Sequence, residues 1–442
     1  MINLRDRLSS FQDDWLYGLD HRELLRAIDR CCLRINASDI VLIAEADPLK
    51  FIAAFIAAVS KNAVVILTNP RWGQQEWEQV AGLVRPDVVF GIAGPLNPPI
   101  LGDFETSLAR KPPSIGGLGG GDILIPTGGT SGQIRFAIHS WETLTASVEG
   151  FREYFGVDRI NSCCVLPLYH VSGLMQLWRS LMTSGRLAIC DWKALEAGVF
   201  PKIDRDRFFL SLVPTQLQRL LNYPELSQFR TILLGGAPAW ESLLAEGRSR
   251  WLAIAPTYGM TETASQVATL KPEAFLRGQT GCGMVLPHAV ITIRDTEGKP
   301  LPTGVSGLVT VEARSLMRGY FPPGPLELDD IGYFDEQHSL HIVGRNSQKI
   351  ISGGENLYPA EIEAAIRSTG LVEDVCVIGV PDENWGEIVV AFYVSSQTVE
   401  ELQGAIAALL SGPKLPKRWV AVEAIPRTGQ GKIVRSRLGL DS

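Results

Sequence analysis

The N-terminal part of the chain alternates between two patterns of hydrophobic positions. Apolar residues at Leu24, Ile28, Cys32 and Ile35 recur at the spacing of an amphipathic helix, and an alanine-rich segment at 49–60 predicts another helix. Between them lie short runs that are apolar throughout, which predict a parallel sheet covered by helices on both faces. The predicted strands are 40–44, 63–67, 88–90, 123–126, 162–166, 208–213 and 231–234.

The C-terminal part has a different pattern of predicted helices and strands. From Val290 onward, short strands separated by turn residues predict a small β subdomain. After Gly344 and Arg345, helical and strand patterns alternate again over roughly a hundred residues, which is enough for a compact domain. We therefore predict an α/β chain with a large N-terminal domain at 1–344, built of stacked, mostly parallel sheets with helices plus the β subdomain. A small α+β domain at 345–442 follows.

Composition narrows the possible partners and the compartment. The 41 basic and 48 acidic residues give a net charge of −7, which argues against general affinity for nucleic acids or anionic membranes. The longest apolar stretch, 51–67, is interrupted at 60–62 and predicts a helix followed by a strand, with no membrane span. The N-terminus lacks a signal-peptide core, and the seven cysteines lack metal-ligand spacing. We expect a cytoplasmic protein with free, buried thiols.

A segment rich in glycine and hydroxyl groups follows the predicted strand at 123–126. Such a segment can present backbone N–H groups and side-chain donors to phosphate oxygens, although an ordinary polar turn has a similar composition. It lacks the lysine of a Walker loop, which argues against a P-loop nucleoside triphosphatase. Its residues are Thr127, Gly128, Gly129, Thr130, Ser131 and Gly132.

Two further segments follow predicted strands at the sheet edge where α/β proteins bind ligands. His170 comes after the strand at 162–166, although a lone histidine beside an apolar strand is usually a core residue. Tyr258, Thr261 and Glu262 follow an apolar segment and offer an aromatic face, a hydroxyl and a carboxylate for adenine, phosphate and Mg²⁺. The alternative for this second segment is a helix N-terminus capped by Thr261.

Positive charge accumulates near the C-terminus. Between Lys414 and Arg437, seven basic residues face a single acidic residue, Glu423. Two glycines precede Lys432, at Gly429 and Gly431, and a solvated basic tail does not require them. We therefore interpret the segment around Lys432 as a loop that faces a phosphate.

In order and spacing, these motifs and those at Asp330, Gly344–Arg345 and 350–356 resemble the adenylate-forming superfamily. That superfamily contains acyl-CoA synthetases, luciferases and the adenylation domains of peptide synthetases. The resemblance extends from about Val41 to Val434. It implies a two-step ligase that uses ATP, Mg²⁺ and coenzyme A. A carboxylate first displaces pyrophosphate from ATP to give an acyl adenylate, and a thiol then displaces AMP.

The resemblance also implies a role for each motif. The loop at 127–132 would hold the β- and γ-phosphates, Thr261 would bond the α-phosphate, and Glu262 would hold Mg²⁺. Lys432 would bridge the α-phosphate and the attacking carboxylate, on a C-terminal lid that rotates about a hinge after Arg345. Nucleotide and thiol contacts would come from Gly235, Gly236, Ala237, Tyr258, Asp330, Arg345, Gly353 and Gly354.

The chain departs from the superfamily pattern at three places. The usual Pro-Lys-Gly after the phosphate loop is Ile134-Arg135-Phe136, which keeps a charge at Arg135 but in a different shape. The usual charged hinge residue is Ser347, and the usual Thr-Gly-Asp reads Leu328-Asp329-Asp330. We expect the extra carboxylate of Asp329 to lie beside the ribose site.

Segments 166–181, 211–221 and 232–244 resemble the o-succinylbenzoate–CoA ligases of menaquinone and phylloquinone synthesis. That resemblance implies a small-molecule acid with two carboxylates, bound near His170 and Gly235. Arg179 is the candidate for the carboxylate that does not react, and a surface helix charge is the alternative. Another aryl- or acyl-CoA ligase, or a non-catalytic nucleotide- or acyl-binding protein, stays open as an alternative function, and a homodimer is compatible with the sequence.

Overall fold

The structure is a computed structural model that describes residues 4–9, 11, 15–91, 118–127, 133–326, 328–353, 355–407, 409–410, 412–427 and 433–438. The helices in these ranges are α1 (Leu4–Ser9), α2 (His21–Cys32), α3 (Pro48–Ser60), α4 (Gln74–Leu83), α5 (Trp141–Phe155), α6 (Val171–Thr183), α7 (Trp192–Glu196), α8 (Pro214–Leu220), α9 (Glu241–Ser249), α10 (Pro272–Leu276), α11 (Pro359–Ser368) and α12 (Val399–Ile406).

The strands of the N-terminal part are β1 (Leu16–Tyr17), β2 (Ile40–Ala44), β3 (Val64–Leu67), β4 (Val88–Gly91), β5 (Ile123–Thr127), β6 (Arg135–His139), β7 (Asn161–Cys164), β8 (Leu187–Ile189), β9 (Phe208–Leu212), β10 (Thr231–Leu234), β11 (Ile254–Met260), β12 (Ser265–Thr269) and β13 (Met284–Val285). They are followed by β14 (Ala289–Arg294), β15 (Gly307–Ala313), β16 (Gly319–Phe321), β17 (Asp330–Phe334), β18 (Leu340–Arg345), β19 (Ile350–Ser352), β20 (Glu355–Leu357), β21 (Asp374–Asp382), β22 (Gly386–Val394) and β23 (Arg418–Ala421).

Two large sheets form the N-terminal part. Sheet I has the strand order β16-β6-β5-β3-β2-β4, and sheet II has the order β1-β8-β7-β9-β10-β11-β12-β13. Strands β2 to β5 of sheet I pair in parallel, and so do the strands of sheet II from β1 to β11. The remaining pairings are antiparallel. These are the mostly parallel sheets that the apolar runs predict.

The largest hydrophobic core lies between sheets I and II. Apolar side chains of β2, β3 and β5 contact helices α3, α5 and α6, which in turn contact side chains of β9, β10 and β11. Helix α3 is buried over most of its length, and it contacts helices α1 and α2 and strands β2 and β3. The outer face of sheet II packs against α8 and α9, and that of sheet I packs against α4. The molecule is therefore a stack of alternating helical and sheet layers.

Two smaller sheets complete the fold. Sheet III (β14-β15-β17-β18) is antiparallel and packs against β11 and β12 of sheet II, as the predicted β subdomain. Sheet IV (β20-β19-β22-β21, with β23 beside β22) has α11 and α12 on one face, which gives the predicted α+β domain. The predicted fold class is confirmed. The boundary between residues 344 and 345 falls at the end of β18 and stays a prediction.

Most predicted elements form within one or two residues of their expected bounds. The apolar segment before Tyr258 differs, because Tyr258 was expected to follow its strand. The strand begins at Ile254 and runs to Met260, so that Tyr258 lies within β11. Strand β16 was not predicted, and it returns to sheet I after sheet III has begun. The stretch at 51–67 forms α3 and β3 as predicted, and no helix in the described ranges is long and apolar enough to span a membrane.

Candidate active site

The carboxyl edge of sheet II brings the predicted ligand-binding segments together. Strands β7, β9, β10 and β11 are parallel neighbours, so the residues that follow them lie along one edge. His170 follows β7 and begins α6, Gly235 follows β10, and Thr261 follows β11. This edge is where α/β sheets bind ligands, because the backbone leaves a crevice there.

Thr261 and Glu262 lie in a single 3₁₀ turn, Thr261–Thr263, between β11 and β12. The Thr263 hydroxyl accepts a hydrogen bond from the Met260 N–H at 3.0 Å. Ala264 then takes a left-handed conformation with φ 50°, and the chain enters β12. The alternative interpretation as a helix N-terminus is therefore wrong, since the turn leads into a strand.

Sheet I holds this turn from the other side. The buried His139 of β6 bonds through Nε2 to the Thr261 carbonyl at 2.8 Å. The Met317 N–H donates to the Glu262 carbonyl at 2.7 Å, and the Tyr320 hydroxyl donates to Glu262 Oε1 at 2.7 Å. Burial lowers the pKa of His139 to about 4, so this imidazole is neutral at neutral pH. Neither His139 nor Tyr320 is among the residues predicted from the sequence.

The donor set at Glu262 suits a magnesium–nucleotide complex. Glu262 is half-buried and directly follows Thr261 in the turn. The described part of the chain has no group of three or more histidine, cysteine, aspartate or glutamate side chains that could hold a metal ion. Mg²⁺ in nucleotide sites takes one or two carboxylates, with phosphates and waters as its other ligands. A lone, oriented carboxylate therefore fits Mg²⁺ that arrives with a triphosphate.

Asp330 is oriented from two directions. It stands opposite Arg345 across β17 and β18, and Arg345 Nε lies 3.3 Å from Asp330 Oδ1. The Tyr258 hydroxyl donates to Asp330 Oδ2 at 2.8 Å. Burial, and then the negative charge of Asp330, raise the pKa of Tyr258, so its phenol stays a donor. The structure thus joins three residues that were predicted to bind the nucleotide, through one hydrogen bond and one ion pair.

Glycine is required where the chain leaves β10. A Cβ at Gly235 would lie 2.4 Å from Thr257 Oγ1, and Gly236 has φ +80°, a conformation that side chains disfavour. Gly236 and Ala237 are exposed at the edge of sheet II. The bare backbone here leaves space for a ligand to approach closely, and its contact with adenine or the acyl group stays a prediction.

Arg179 of α6 is buried, with 3% of its surface exposed, so the alternative of a surface charge is wrong. Its Nη2 donates to Ser265 Oγ at 3.0 Å and to Gln266 Oε1 at 2.8 Å, and its guanidinium lies 4.4 Å from the centre of the Phe151 ring. No carboxylate pairs with it in the described residues. Burial lowers the pKa of Arg179 to about 9, so it is a charged group without an anionic partner at neutral pH.

Several predicted residues lie outside the described part of the chain: Gly128, Gly129, Thr130, Ser131, Gly132, Gly354 and Lys432. Thr127 ends β5, and its hydroxyl donates to the Arg135 carbonyl at 3.3 Å. Gly353 has φ +60°, and a Cβ there would lie 3.0 Å from the Trp385 ring. The ligand contacts of all these residues stay predictions.

The basic residues near the C-terminus have partners that the sequence did not indicate. Lys414 pairs with Glu361, Arg427 pairs with Asp374, and Arg435 pairs with Glu363. The acidic partners belong to α11 and β21, so these pairs attach the last segment to sheet IV. Part of the excess charge therefore has a structural role, and it does not all face a phosphate.

Two of the unusual residues bond to each other. Asp329 accepts hydrogen bonds from the Ser347 N–H, 3.1 Å from each carboxylate oxygen, and from the Ser347 hydroxyl. The Asn346 N–H also donates to the Asp329 carbonyl at 2.8 Å. The carboxylate of Asp329 thus contacts the short turn Asn346–Gln348 that joins sheets III and IV. From the sequence, this carboxylate was expected beside the ribose site.

Comparison with known protein families identifies the class to which this fold and its candidate active site belong. The sequence profile of the AMP-binding enzymes matches residues 122–321, and that of the AMP-binding enzyme C-terminal domain matches residues 361–432. The chain belongs to the AMP-binding enzyme family. The resemblance to the adenylate-forming superfamily is thereby confirmed.

Relatives narrow the class. The chain is 33% identical over 329 residues to a 2-succinylbenzoate–CoA ligase of Enterococcus faecalis, which covers 70% of this chain and 67% of the relative. It is 30% identical over 441 residues to a 2-succinylbenzoate–CoA ligase of Bacillus cytotoxicus, covering 92% and 89%. The o-succinylbenzoate CoA synthetase of Bacillus subtilis, solved with its acyl-adenylate intermediate, has the same fold, with a TM-score of 0.84 and 23% identity over 100% of this chain and 98% of that chain.

Proposed function

We propose that this protein is an AMP-forming 2-succinylbenzoate–CoA ligase that uses ATP, Mg²⁺ and coenzyme A. One observation carries the proposal. Asp330, held by Tyr258 and Arg345, and the Thr261–Glu262 turn both lie at the carboxyl edge of sheet II. That arrangement offers a carboxylate for a ribose and a hydroxyl and a carboxylate for a magnesium–phosphate group. The curated ligases at 33% and 30% identity support the choice of acid.

The reaction proceeds in two balanced steps. A carboxylate oxygen of the acid bonds to the α-phosphorus of ATP while the bond to the β-phosphate breaks, so pyrophosphate leaves. The sulfur of coenzyme A then bonds to the acyl carbon, AMP leaves with the bridging oxygen, and the thiol loses its proton. Glu262 would hold Mg²⁺, which would supply positive charge to the phosphates of ATP.

The residues of the edge orient these reactants. Asp330 accepts hydrogen bonds from the ribose hydroxyls, and Tyr258 and Arg345 fix its carboxylate. Gly235 and Gly236 leave space for the adenine and acyl groups, and Thr261 donates to the α-phosphate. Such fixed donors favour the reaction because they need not reorganise as charge moves.

Arg179 would recognise the carboxylate that does not react. Its guanidinium is buried, charged and without a carboxylate partner in the described residues, and its Ser265 and Gln266 contacts lie on β12, directly beyond the Thr261–Glu262 turn. A desolvated cation of this kind is stabilised by an anionic ligand. An acid with two carboxylates can supply that anion and still react at the other end.

Residues 345–442 would act as a lid. In one orientation the lid places Lys432 between the α-phosphate and the attacking carboxylate, where its charge offsets the repulsion of two anions. In the other orientation it brings Gly353 and Gly354 to the path of the thiol. The turn Asn346–Gln348 is the hinge in this proposal.

A pyrophosphate-release screen tests the function. The purified protein is given ATP, Mg²⁺ and, in turn, o-succinylbenzoate, a benzoate, a cinnamate and a fatty acid. We expect release with o-succinylbenzoate well above the other acids, and a thioester once coenzyme A is added. A preference for a monocarboxylic acid would assign another ligase, and silence with every acid, despite ATP binding, would indicate a binding protein.

A further inference from the structure

Tyr320 contacts the candidate active site from a different sheet. It lies in β16, a three-residue edge strand that pairs with β6 so that Tyr320 stands opposite Ala137. Its side chain is buried, and its hydroxyl donates to Glu262 Oε1 at 2.7 Å. The two residues are 58 positions apart in the sequence, so the contact depends entirely on the fold.

The surroundings hold the Tyr320 ring in place. Tyr320 packs with Ala137 and Met317 in a small hydrophobic cluster, and the guanidinium of Arg135 lies 5.8 Å from the centre of its ring. The N–H of Met317, three residues earlier, donates to the Glu262 carbonyl. The segment that leads into β16 therefore fixes both the backbone and the side chain of Glu262.

We infer that Tyr320 is a positioning residue that presents the Glu262 carboxylate to the Mg²⁺ of a bound nucleotide. The inference rests on the proposed function, in which Glu262 is the metal ligand. A carboxylate has two oxygens, and because the phenol of Tyr320 bonds to Oε1, Oε2 is the oxygen that binds the metal in this proposal. A charge-assisted hydrogen bond of this kind also favours one rotamer of Glu262 before the metal arrives.

The test compares Tyr320→Phe with the parent protein in a binding measurement without turnover. Thermal unfolding is followed at fixed ATP while Mg²⁺ is raised, with no acid and no coenzyme A, and the Mg²⁺ concentration that gives half of the stabilisation is read off. We expect this concentration to rise about tenfold, the lower end of the usual effect of losing a hydrogen bond to a metal ligand. In the complete reaction, we expect the rate at saturating Mg²⁺ to recover to near the parent value.

Tyr154→Phe is the matched control. Tyr154 is half-buried, and its hydroxyl donates to a backbone carbonyl, that of Thr269, on the strand that follows the Thr261–Glu262 turn. This variant loses a tyrosine hydrogen bond but no contact with Glu262, so its Mg²⁺ midpoint should equal that of the parent.

Glu262→Gln separates the inference from the proposed function. A raised Mg²⁺ midpoint in Glu262→Gln but not in Tyr320→Phe overturns the role of Tyr320 and leaves Glu262 as the metal ligand. Unchanged midpoints in both variants overturn the metal role of Glu262 as well. A fall in the melting temperature of ligand-free Tyr320→Phe with an unchanged Mg²⁺ midpoint assigns Tyr320 a purely structural role and also overturns the inference.

Discussion

At the scale of one residue, the burial of Arg179 costs stability, and a role in binding a ligand explains its presence. Removing a guanidinium from water costs several kcal/mol, which neutral partners such as Ser265 and Gln266 offset only in part. The Phe151 ring adds a cation–π contact, which contributes about 2 kcal/mol or more at a desolvated site. If Arg179 served only the stability of the fold, an apolar side chain would be more favourable at this position. Its presence in α6 therefore supports a role in binding a ligand.

Replacing Arg179 by Met should therefore separate binding from stability. We expect kcat/KM for o-succinylbenzoate to fall about 100-fold or more, since one partner of a buried charge pair is lost. The rate with a monocarboxylic analogue should change much less, and the melting temperature should not fall. Steady-state kinetics with both acids and calorimetry provide these values.

Arg230→Met is the control for this prediction. Arg230 also lies over an aromatic ring, that of Phe209 at 5.6 Å, but its side chain is exposed. The variant should keep the parent preference between the two acids. Equal losses with both acids in Arg179→Met, or a large drop in its melting temperature, would contradict a role for Arg179 in recognising the second carboxylate.

At the scale of elements, two short turns are held in place by hydrogen bonds from other parts of the fold. The turn Thr261–Thr263 belongs to sheet II but is held by His139 and Tyr320 of sheet I. The turn Asn346–Gln348 joins sheets III and IV and is held by Asp329. In both cases a few hydrogen bonds fix a segment whose own length is too short to be stable alone.

Asp329→Ala should loosen the second turn. The carboxylate holds the Ser347 N–H, and bonds to charged acceptors contribute about 1.5–3 kcal/mol, so we expect amide exchange at 346–349 to become roughly tenfold faster or more. Because this turn is the proposed hinge, the ratio of the adenylation rate to the thioester rate should also change. Hydrogen exchange by mass spectrometry and separate assays of the two steps measure both effects.

Asp335→Ala controls for the loss of a carboxylate from a turn of the same sheet. Asp335 accepts hydrogen bonds from the N–H groups of Gln337 and Ser339, away from the hinge. Its loss should leave exchange at 346–349 and the ratio of the two rates unchanged. If Asp329→Ala behaves in the same way, Asp329 does not restrain the hinge.

The elements also show what a sequence can predict. Apolar runs such as 231–234 give strands because only a sheet covered on both faces buries every residue of a strand, and parallel order then places the predicted residues at one edge. The contact of Tyr320 with Glu262 leaves no such trace, since it needs a three-residue strand to return to sheet I. Asp329 and Ser347 carried a signal, because both depart from the superfamily pattern, but only the structure shows that they bond to each other.

At the scale of the whole molecule, the fold buries His139 and His288, which are two of the three buried histidines in the described residues. His139 lies between sheets I and II, and His288 packs against Gly150 of α5. Burial lowers the pKa of each imidazole to about 4. The folded protein thus keeps both rings neutral at a pH where the unfolded chain protonates them.

Stability should therefore fall on mild acidification. The unfolded chain binds more protons than the folded protein between pH 6.5 and about pH 4, so the free energy of unfolding decreases as the pH falls through that window. Each histidine should contribute a loss of about 2 kcal/mol between pH 7 and pH 5. Urea unfolding at the two pH values measures the loss, and His139→Gln should reduce it by about half; an equal loss in parent and variant would contradict this origin.

If the reaction forms an acyl adenylate, an oxygen atom of the acid must pass to AMP. A heavy oxygen isotope in the acid follows this transfer. The acid is labelled with the heavy isotope in the carboxylate that reacts, and AMP is analysed by mass spectrometry after thioester formation. Because that carboxylate oxygen bridges to the α-phosphorus and leaves with it, one labelled oxygen should appear in AMP. Thioester formation with unlabelled AMP, or with ADP and labelled inorganic phosphate as products, would contradict the account.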